Sequence, residues 1–278
     1  MRTPIGYILL AATLLSVVSC DVIEGPKVDP SGFTGTSNKV LIEDFTGQMC
    51  GNCPNAHRQA AILKQTYGEN LVVIAVHSTG FATPVPALGF GTDFRTTMGE
   101  EIATLYGASN AGLPVGLVNR RDWSGSPMTR YPNWGTMIGA VLAESPKMAI
   151  DLDIDFDPDS RLMKLDVHLE YFTEGDASDR IVAVITEDSL ISKQYDFSIP
   201  AQEVEEYVQN HVLRASITTG TWGIPVKNNQ IFIGEKIDHS FTHSLDASYR
   251  PEKCSVVVYI RDDVTKEVLQ VQEAKLVE

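Results

Sequence analysis

Cysteine is scarce in this chain. The 278 residues hold four, Cys20, Cys50, Cys53 and Cys254, too few and too unevenly spread for a disulfide framework. Basic residues are short as well. Lys and Arg total 22 against 36 Asp and Glu, a formal net charge of −14. An acidic surface repels phosphate backbones, which argues against nucleic acid as a partner. It fits a soluble body held off an anionic membrane surface. A C-x-x-C-H motif is missing too, because Pro54 stands where the histidine would be, and covalent haem is thereby excluded. The remaining composition is ordinary, 43% hydrophobic and 21% charged. At about 100–200 residues per domain, the length predicts two domains with real cores.

What the N-terminus does carry is an export signal. Arg2 supplies a small positive region, and Ile5 to Val18 an apolar stretch broken only by Gly6, Thr13 and Ser16. That stretch is short for a transmembrane helix and reads as a signal-peptide core over residues 1–19. It ends in Val17-Val18-Ser19-Cys20, which resembles the lipobox of bacterial lipoproteins. Cys20 is therefore the expected lipidation site and membrane anchor, the alternative being an ordinary signal peptide with an unlipidated cysteine. Residues 20–38, with Gly25, Pro26, Pro30, Gly32 and Gly35 and almost no periodicity, read as a tether.

From position 39 the pattern becomes regular. Val40 to Phe45 is a β-branched and apolar run, and Cys50-Gly51-Asn52-Cys53 follows. Pro54 then opens a helix, where its missing N–H costs nothing. Ala56, Ala60, Leu63 and Tyr67 recur at helical spacing up to Gly68. Leu71 to Val76 is continuously apolar, as a central parallel strand is. Phe94, Met98, Ile102 and Leu105 mark a second helix, Val115 to Asn119 a strand, and Trp134, Ile138, Val141 and Leu142 a last helix before Pro146. Strands alternating with helices predict an α/β layer over residues 39–146.

This order, with a CxxC at a helix start and a proline before a late strand, resembles the thioredoxin fold. Asp44 lies six residues before Cys50, as that family places its buried acid, and Gly112-Leu113-Pro114 is similar to the family's Gly-Ile-Pro. The resemblance implies that Pro114 is cis and packs against the cysteine pair. Two departures bear on function. Met49 stands where thioredoxins usually carry Trp, and Ser78 to Asp93, rich in Gly, Pro and Phe, is an insertion at the ligand side of the sheet. It is expected to cover or frame the cysteines.

Two cysteines three apart at a helix N-terminus can form a small disulfide ring. The first sulfur is expected to be exposed where unpaired N–H groups and the helix dipole favour a thiolate. Cys50 is then the candidate nucleophile and Cys53 the resolving thiol. With only Gly51 and Asn52 between them the couple is expected to be reducing. Asp44 is the candidate base for the Cys53 proton, and Glu43, on the opposite face, reads as surface. Two other readings stay open. One is a static disulfide. The other is a metal site of Cys50, Cys53, His57 and His77, less favoured because the second sulfur of a helix-start pair is buried. Taken singly, His57 reads as a solvated helix residue and His77 as a strand-end residue.

After Pro146 the period changes to two. Ile150, Leu152, Ile154 and Phe156 alternate with Asp151, Asp153, Asp155 and Asp157, then Pro158-Asp159 turns the chain into Leu165, Val167, Leu169 and Tyr171. This predicts a hairpin with Leu152 beside Leu165 and Asp153 beside Lys164. Further strands are expected at 181–186, 213–218, 230–241, 255–260 and 267–273, with a short helix from Ala201 to Asn210. Residues 147–278 thus read as an antiparallel sandwich of immunoglobulin-like type. The aspartate row invites calcium, but it lacks a glycine-punctuated loop and reads first as a solvated face that discourages edge pairing. Cys254, in phase with Val256, Val258 and Ile260, reads as a small buried hydrophobe.

Glu43-Asp44-Phe45-Thr46-Gly47 before Cys50-Gly51-Asn52-Cys53-Pro54, Val76-His77-Ser78, Pro114 to Arg120 and Asn210-His211-Val212-Leu213-Arg214 together resemble the Omp-twenty-eight-related family of bacterial outer-membrane lipoproteins. The resemblance implies outer-membrane attachment, facing periplasm or cell surface, and a thioredoxin-like domain followed by a β domain. It implies no reaction. Two functions follow as expectations. One is thiol–disulfide exchange with exported proteins or a redox partner through mixed disulfides, with no cofactor. The other is a binding or adhesion lipoprotein in which Cys50–Cys53 is a staple.

Overall fold

A computed structural model describes residues 37–277. The signal peptide, Cys20 and nearly all of the tether lie outside the described residues. Strand β1 (Val40–Thr46) is buried at every position, as its continuous β-branched and apolar run requires. It leads into α1 (Cys53–Tyr67), which carries Pro54 in its first turn and stops at Gly68. Strand β2 (Leu71–His77) pairs parallel with β1. After the Ser78–Asp93 segment, α2 (Thr97–Tyr106) begins where the Thr96 hydroxyl accepts from the Gly99 N–H and ends on left-handed Gly107. A short α3 (Ala108–Ala111) precedes β3 (Val115–Val118), antiparallel to β1, then β4 (Met128–Thr129) and α4 (Trp134–Leu142).

The second half is built from strands. Hairpin β5 (Met148–Asp157) and β6 (Leu162–Tyr171) is followed by β7 (Asp179–Glu187), β8 (Leu190–Tyr195), β9 (Glu203–Gln209), β10 (Val212–Ser216) and β11 (Ile224–Pro225). Then come β12 (Lys236–Ser244), β13 (Cys254–Asp262) and β14 (Val268–Lys275). The first hairpin pairs Leu152 with Val167 and Ile154 with Leu165, two residues from the expected register. The reason is the turn. Residues 158–161 all loop out, Arg161 takes a positive φ of 56°, and the Asp157 carboxylate accepts from the Asp159 N–H and the Ser160 hydroxyl. A two-residue slip keeps every side chain on its face.

The helix expected from Ala201 to Asn210 is instead strand β9, paired antiparallel with β8. Val204, Tyr207 and Val208 favour a pleated surface, and a ten-residue helix carrying Glu203, Glu205 and Glu206 has little to hold it.

The large sheet has the strand order β14-β13-β7-β10-β2-β1-β3-β4, with β11 on β7. Residue 146, where the sequence predicts a boundary, lies between α4 and β5, yet strands from both sides share this sheet through the β2–β10 bridge Ala75–Val212. One face buries Leu41, Phe45, Val76 and Leu213 against Met98 and Ile102 of α2. The opposite face of the first half packs Ile42 and Val73 against Leu63 of α1 and Trp134 of α4. In the second half, the small sheet β12-β6-β5 lies on β7 and β13, with Met163, Leu165, Val167, Ala183, Val256 and Val258 between them. The protein is therefore mixed α/β, dominated by sheet. Hairpin β8–β9 stands outside both sheets, and its position decides the character of the site around the cysteine pair.

Candidate functional site

Strand β1 delivers the chain to a tight turn, Gly47–Asn52, from which α1 starts. The turn is closed by the Cys50 N–H on the Gly47 carbonyl (3.0 Å) and the Cys53 N–H on the Cys50 carbonyl (3.1 Å). The Ser78–Asp93 segment frames it from one side. The Met49 N–H donates to the Phe81 carbonyl (3.0 Å), and the backbones approach so closely that a Cβ on Gly47 would stand 2.5 Å from the Phe81 carbonyl carbon. Only glycine fits there. Cys50 and Cys53 are joined as a disulfide. Across the same end of the sheet, Phe45 lies opposite Val115 and the preceding Leu113–Pro114 bond is cis. Between these two loops a groove of about 430 Å³ is lined by Met49, Phe81, Ala108, Gly112 and Leu113.

The exposed first sulfur expected at the helix start is not found. Cys50 is only 3% exposed and Cys53 fully buried, because hairpin β8–β9 is laid across the CxxC. The Tyr195 N–H donates to the Gln48 carbonyl (2.9 Å) and the Phe197 N–H to the Gly51 carbonyl (2.8 Å). The buried Gln194 amide reaches the Gly47 and Cys50 carbonyls at 3.2 and 3.1 Å. The Phe197 ring sits where a Cβ on Gly51 would be, 2.5 Å from it. Arg58 of α1 pins the hairpin end through Asp196 at 2.9 Å. Sequence reasoning does not single out any of these hairpin residues. The signal it could use is the period-two pattern around Ser192 and Gln194, masked by the acidic run Glu203–Glu206 with its helical character.

On the face of β1 that α1 covers, Asp44 is 1% exposed, its Oδ1 has no hydrogen-bond partner, and burial holds its carboxyl well above the usual range. His57, one turn into α1, is not a solvated residue. Its Nε2 meets the Thr46 hydroxyl at 2.8 Å and lies 3.8 Å from the Asp44 carboxylate, while its Nδ1 meets the Tyr207 hydroxyl of β9 at 2.8 Å. Desolvation pushes its pKa down to about 4, so the ring is neutral at pH 7. His77 does end β2, but it is 2% exposed with both ring nitrogens unpartnered, packed on Phe94, and burial drives its pKa to about 3. With both sulfurs bonded to each other, these four residues do not form a thiolate–imidazole ligand set.

Three further expectations meet the structure here. Glu43, read as surface, is 2% exposed and accepts two hydrogen bonds of 2.6 Å from Arg120, which also donates to the Tyr259 hydroxyl at 2.9 Å. The Glu43 face of β1 is closed over by α2 and Arg120 of the first half and by Tyr259, Val268 and Val271 of the second, which the strand's own sequence could not announce. In the aspartate row, Asp153 faces His168 at 3.3 Å, Asp157 caps its own turn, and Asp155 lies opposite Lys164. Among the described residues the carboxylates that gather are others, Asp176, Asp179 and Asp262. Asp179 already accepts from the Tyr171 hydroxyl, Asp262 from the Ser178 and Thr265 hydroxyls, and Asp176 from the Ser178 N–H. Cys254 is a buried free thiol, pushed up to about 12 by desolvation.

Known proteins resemble the chain in several ways. Residues 101–278 match the family described as outer membrane protein Omp28, well over half of the chain, though the matched part excludes Cys50 and Cys53. Among solved structures, HBP35 of Porphyromonas gingivalis is similar with a TM-score of 0.60 at 11% identity, over 87% of this chain and 76% of that one. A protein from Agrobacterium tumefaciens is similar with a TM-score of 0.54 at 12% identity, over 88% of this chain and 97% of that one. A domain of the outer membrane lipoprotein Omp28 from Porphyromonas gingivalis aligns at 17% identity with a TM-score of 0.30, over 47% of this chain and 88% of that domain. At these identities the likeness concerns fold alone. No curated protein matches the sequence. Among the described residues no helix is long and apolar enough to cross a membrane.

Proposed function

Because this chain belongs to the outer membrane protein Omp28 family, we propose that it is a lipoprotein, anchored through Cys20, that exchanges disulfides with exported proteins. In this reading residues 39–146 are a thioredoxin-like domain, residues 147–278 an immunoglobulin-like sandwich, and Cys50, Cys53, Asp44 and Pro114 the working set. The observation that carries it is Asp44. A buried carboxyl with an unpartnered oxygen weakens the fold and does nothing for a staple. Behind a resolving thiol it has a task, taking the Cys53 proton as that sulfur attacks. The groove of Met49, Phe81 and Leu113 gives an extended peptide an apolar bed beside the disulfide. Met49 in place of an aromatic leaves that bed flexible and tolerant of different side chains.

One observation favours a second reading. A hairpin seated on the CxxC with Cys50 3% exposed also suits a binding lipoprotein whose disulfide is structural. The two readings separate in one experiment. In native membranes Cys53→Ala should accumulate mixed disulfides with exported proteins, seen as reducible high-mass bands, and Cys50→Ala should give none. Folded Cys53→Ala protein with no Cys50-dependent adducts would establish the binding reading instead.

A further inference from the structure

Disulfide exchange, the reading on which this inference depends, poses a chemical problem. Asp44 can take a proton from Cys53 only once unless that proton has a way out, and the CxxC side is closed by Gln194 and Phe197. The structure holds another opening, between α1, β2 and β9. A cavity of about 210 Å³ has Asp44 and His57 at its inner end, Tyr207 and His211 in its wall, and the exposed residues Arg58 and Asn210 at its rim.

We propose that His57 and Tyr207 form the outlet by which the Asp44 proton exchanges with solvent, so that strand β9 completes the redox site of the first half. The geometry is a short chain. Asp44 Oδ2 stands 3.8 Å from His57 Nε2, and His57 Nδ1 stands 2.8 Å from the Tyr207 hydroxyl. A ring movement of about 1 Å brings the first gap to hydrogen-bonding distance. Nε2 is meanwhile held by the Thr46 hydroxyl at 2.8 Å, which keeps the ring oriented. A neutral imidazole accepts at one nitrogen and donates at the other, which is what a relay needs. The charged and titratable groups facing this chain are Arg58 on α1, Asp196 after β8, His211 before β10 and His77 on β2. None lies between Asp44 and His57 in the hydrogen-bond sequence. His57 and Tyr207 act on the sulfurs only through Asp44, so they are positioning residues.

In a mixed disulfide between Cys50 and an exported protein, the Cys53 thiol gives its proton to the Asp44 carboxylate. Its sulfur then bonds to Cys50 Sγ, the bond from Cys50 to the partner breaks, and the partner's sulfur leaves as a thiolate. The partner's disulfide is the oxidant, the Cys50–Cys53 pair is oxidised by two electrons, and an envelope dithiol supplies the electrons that restore it. Asp44 is left protonated and discharges through His57 and Tyr207.

The test uses the full-length protein in detergent, reduced and then mixed with glutathione disulfide, with ring closure followed by acid quench and alkylation from pH 5 to 9. Tyr207→Phe and His57→Gln should slow closure roughly tenfold at pH 7 and displace the pH profile, while the redox midpoint stays in place. Imidazole added to His57→Ala should restore the rate, an effect no purely structural role produces. Closure in both variants with the wild-type rate and profile, or no rescue by imidazole, would overturn the outlet while leaving exchange intact. Failure of the wild-type protein to close its disulfide would overturn the exchange reading, and the outlet with it.

Discussion

Glu43 and Asp44 are neighbours in the chain with opposite surroundings, because successive side chains of a strand point to opposite faces. Glu43 meets Arg120 in a buried, bidentate pair. Removing only the arginine leaves a buried carboxylate without its cation, so Arg120→Met is expected to cost about 3–5 kcal/mol of stability. Replacing both partners by apolar residues, Glu43→Leu with Arg120→Met, should recover most of that loss. Denaturant titration of the two variants checks it. Asp44 has no such partner, and burial raises its pKa. Below the unfolded pKa of about 3.9 both states hold the proton and the group is neutral to stability. As pH rises past that value the unfolded state loses its proton first, so stability falls until the folded pKa is reached. Asp44→Asn should therefore stabilise the protein at pH 7, by about 1.4 kcal/mol for each pH unit that separates the folded from the unfolded pKa, and the gain should vanish near pH 3. A gain independent of pH would show that the carboxyl is not the source.

At the scale of the element, hairpin β8–β9 is what distinguishes this site from an open CxxC. Gln194 donates to three carbonyls, those of Gly47, Cys50 and Tyr195, and Phe197 covers Gly51 with its ring. The Gly47 and Cys50 carbonyls keep their turn hydrogen bonds from the Cys50 and Cys53 N–H groups, so losing the amide removes the ties that hold the hairpin on the turn, at about 0.5–1.5 kcal/mol each. Gln194→Ala is accordingly expected to raise the rate of Cys50–Cys53 reduction by a small phosphine roughly tenfold, and Phe197→Ala to raise it in the same direction. Rates unchanged from wild type would show that reductant reaches the disulfide from the Met49–Leu113 groove without moving the hairpin. Sequence alone misassigns this element for a physical reason. The stretch AQEVEEYVQN has the charge of a surface helix, and its pairing with Leu190–Tyr195, together with the contact of Tyr207 with His57 of α1, lets the β preference of Val204, Tyr207 and Val208 prevail.

For the whole molecule, the continuity of the large sheet is the decisive feature. Strand β2 is flanked by β1 and by β10, which comes from the other half of the chain. Cutting at residue 146 would leave β2 with an unpaired, apolar edge and strip Arg120 of Tyr259. Residues 39–146 expressed alone are expected to aggregate or to unfold at a markedly lower temperature than the full chain. A soluble, cooperatively folded fragment would contradict this. Membrane attachment belongs at this scale too. Cys20→Ala should release the mature protein from membranes and abolish labelling by a lipid precursor, and persistence of both would remove the proposed anchor.

The elements around the CxxC were legible because their signals are local. Pro54 and Gly68 bracket a helical period, Val40–Phe45 and Leu71–Val76 can only be buried strands, and the period-two alternation after Pro146 announces β structure whatever surrounds it. The sequence by itself therefore determined the order of most elements, the CxxC at a helix start, and the two faces of each strand. It did not determine what lies on those faces. That Glu43 is buried on Arg120, that His57 is closed off by Tyr207, and that Cys50 is shut under Gln194 and Phe197 depend on residues some 75 to 150 positions away. Periodicity reports that a side chain has a face, and only the tertiary fold decides whether that face meets water, a charge or another strand.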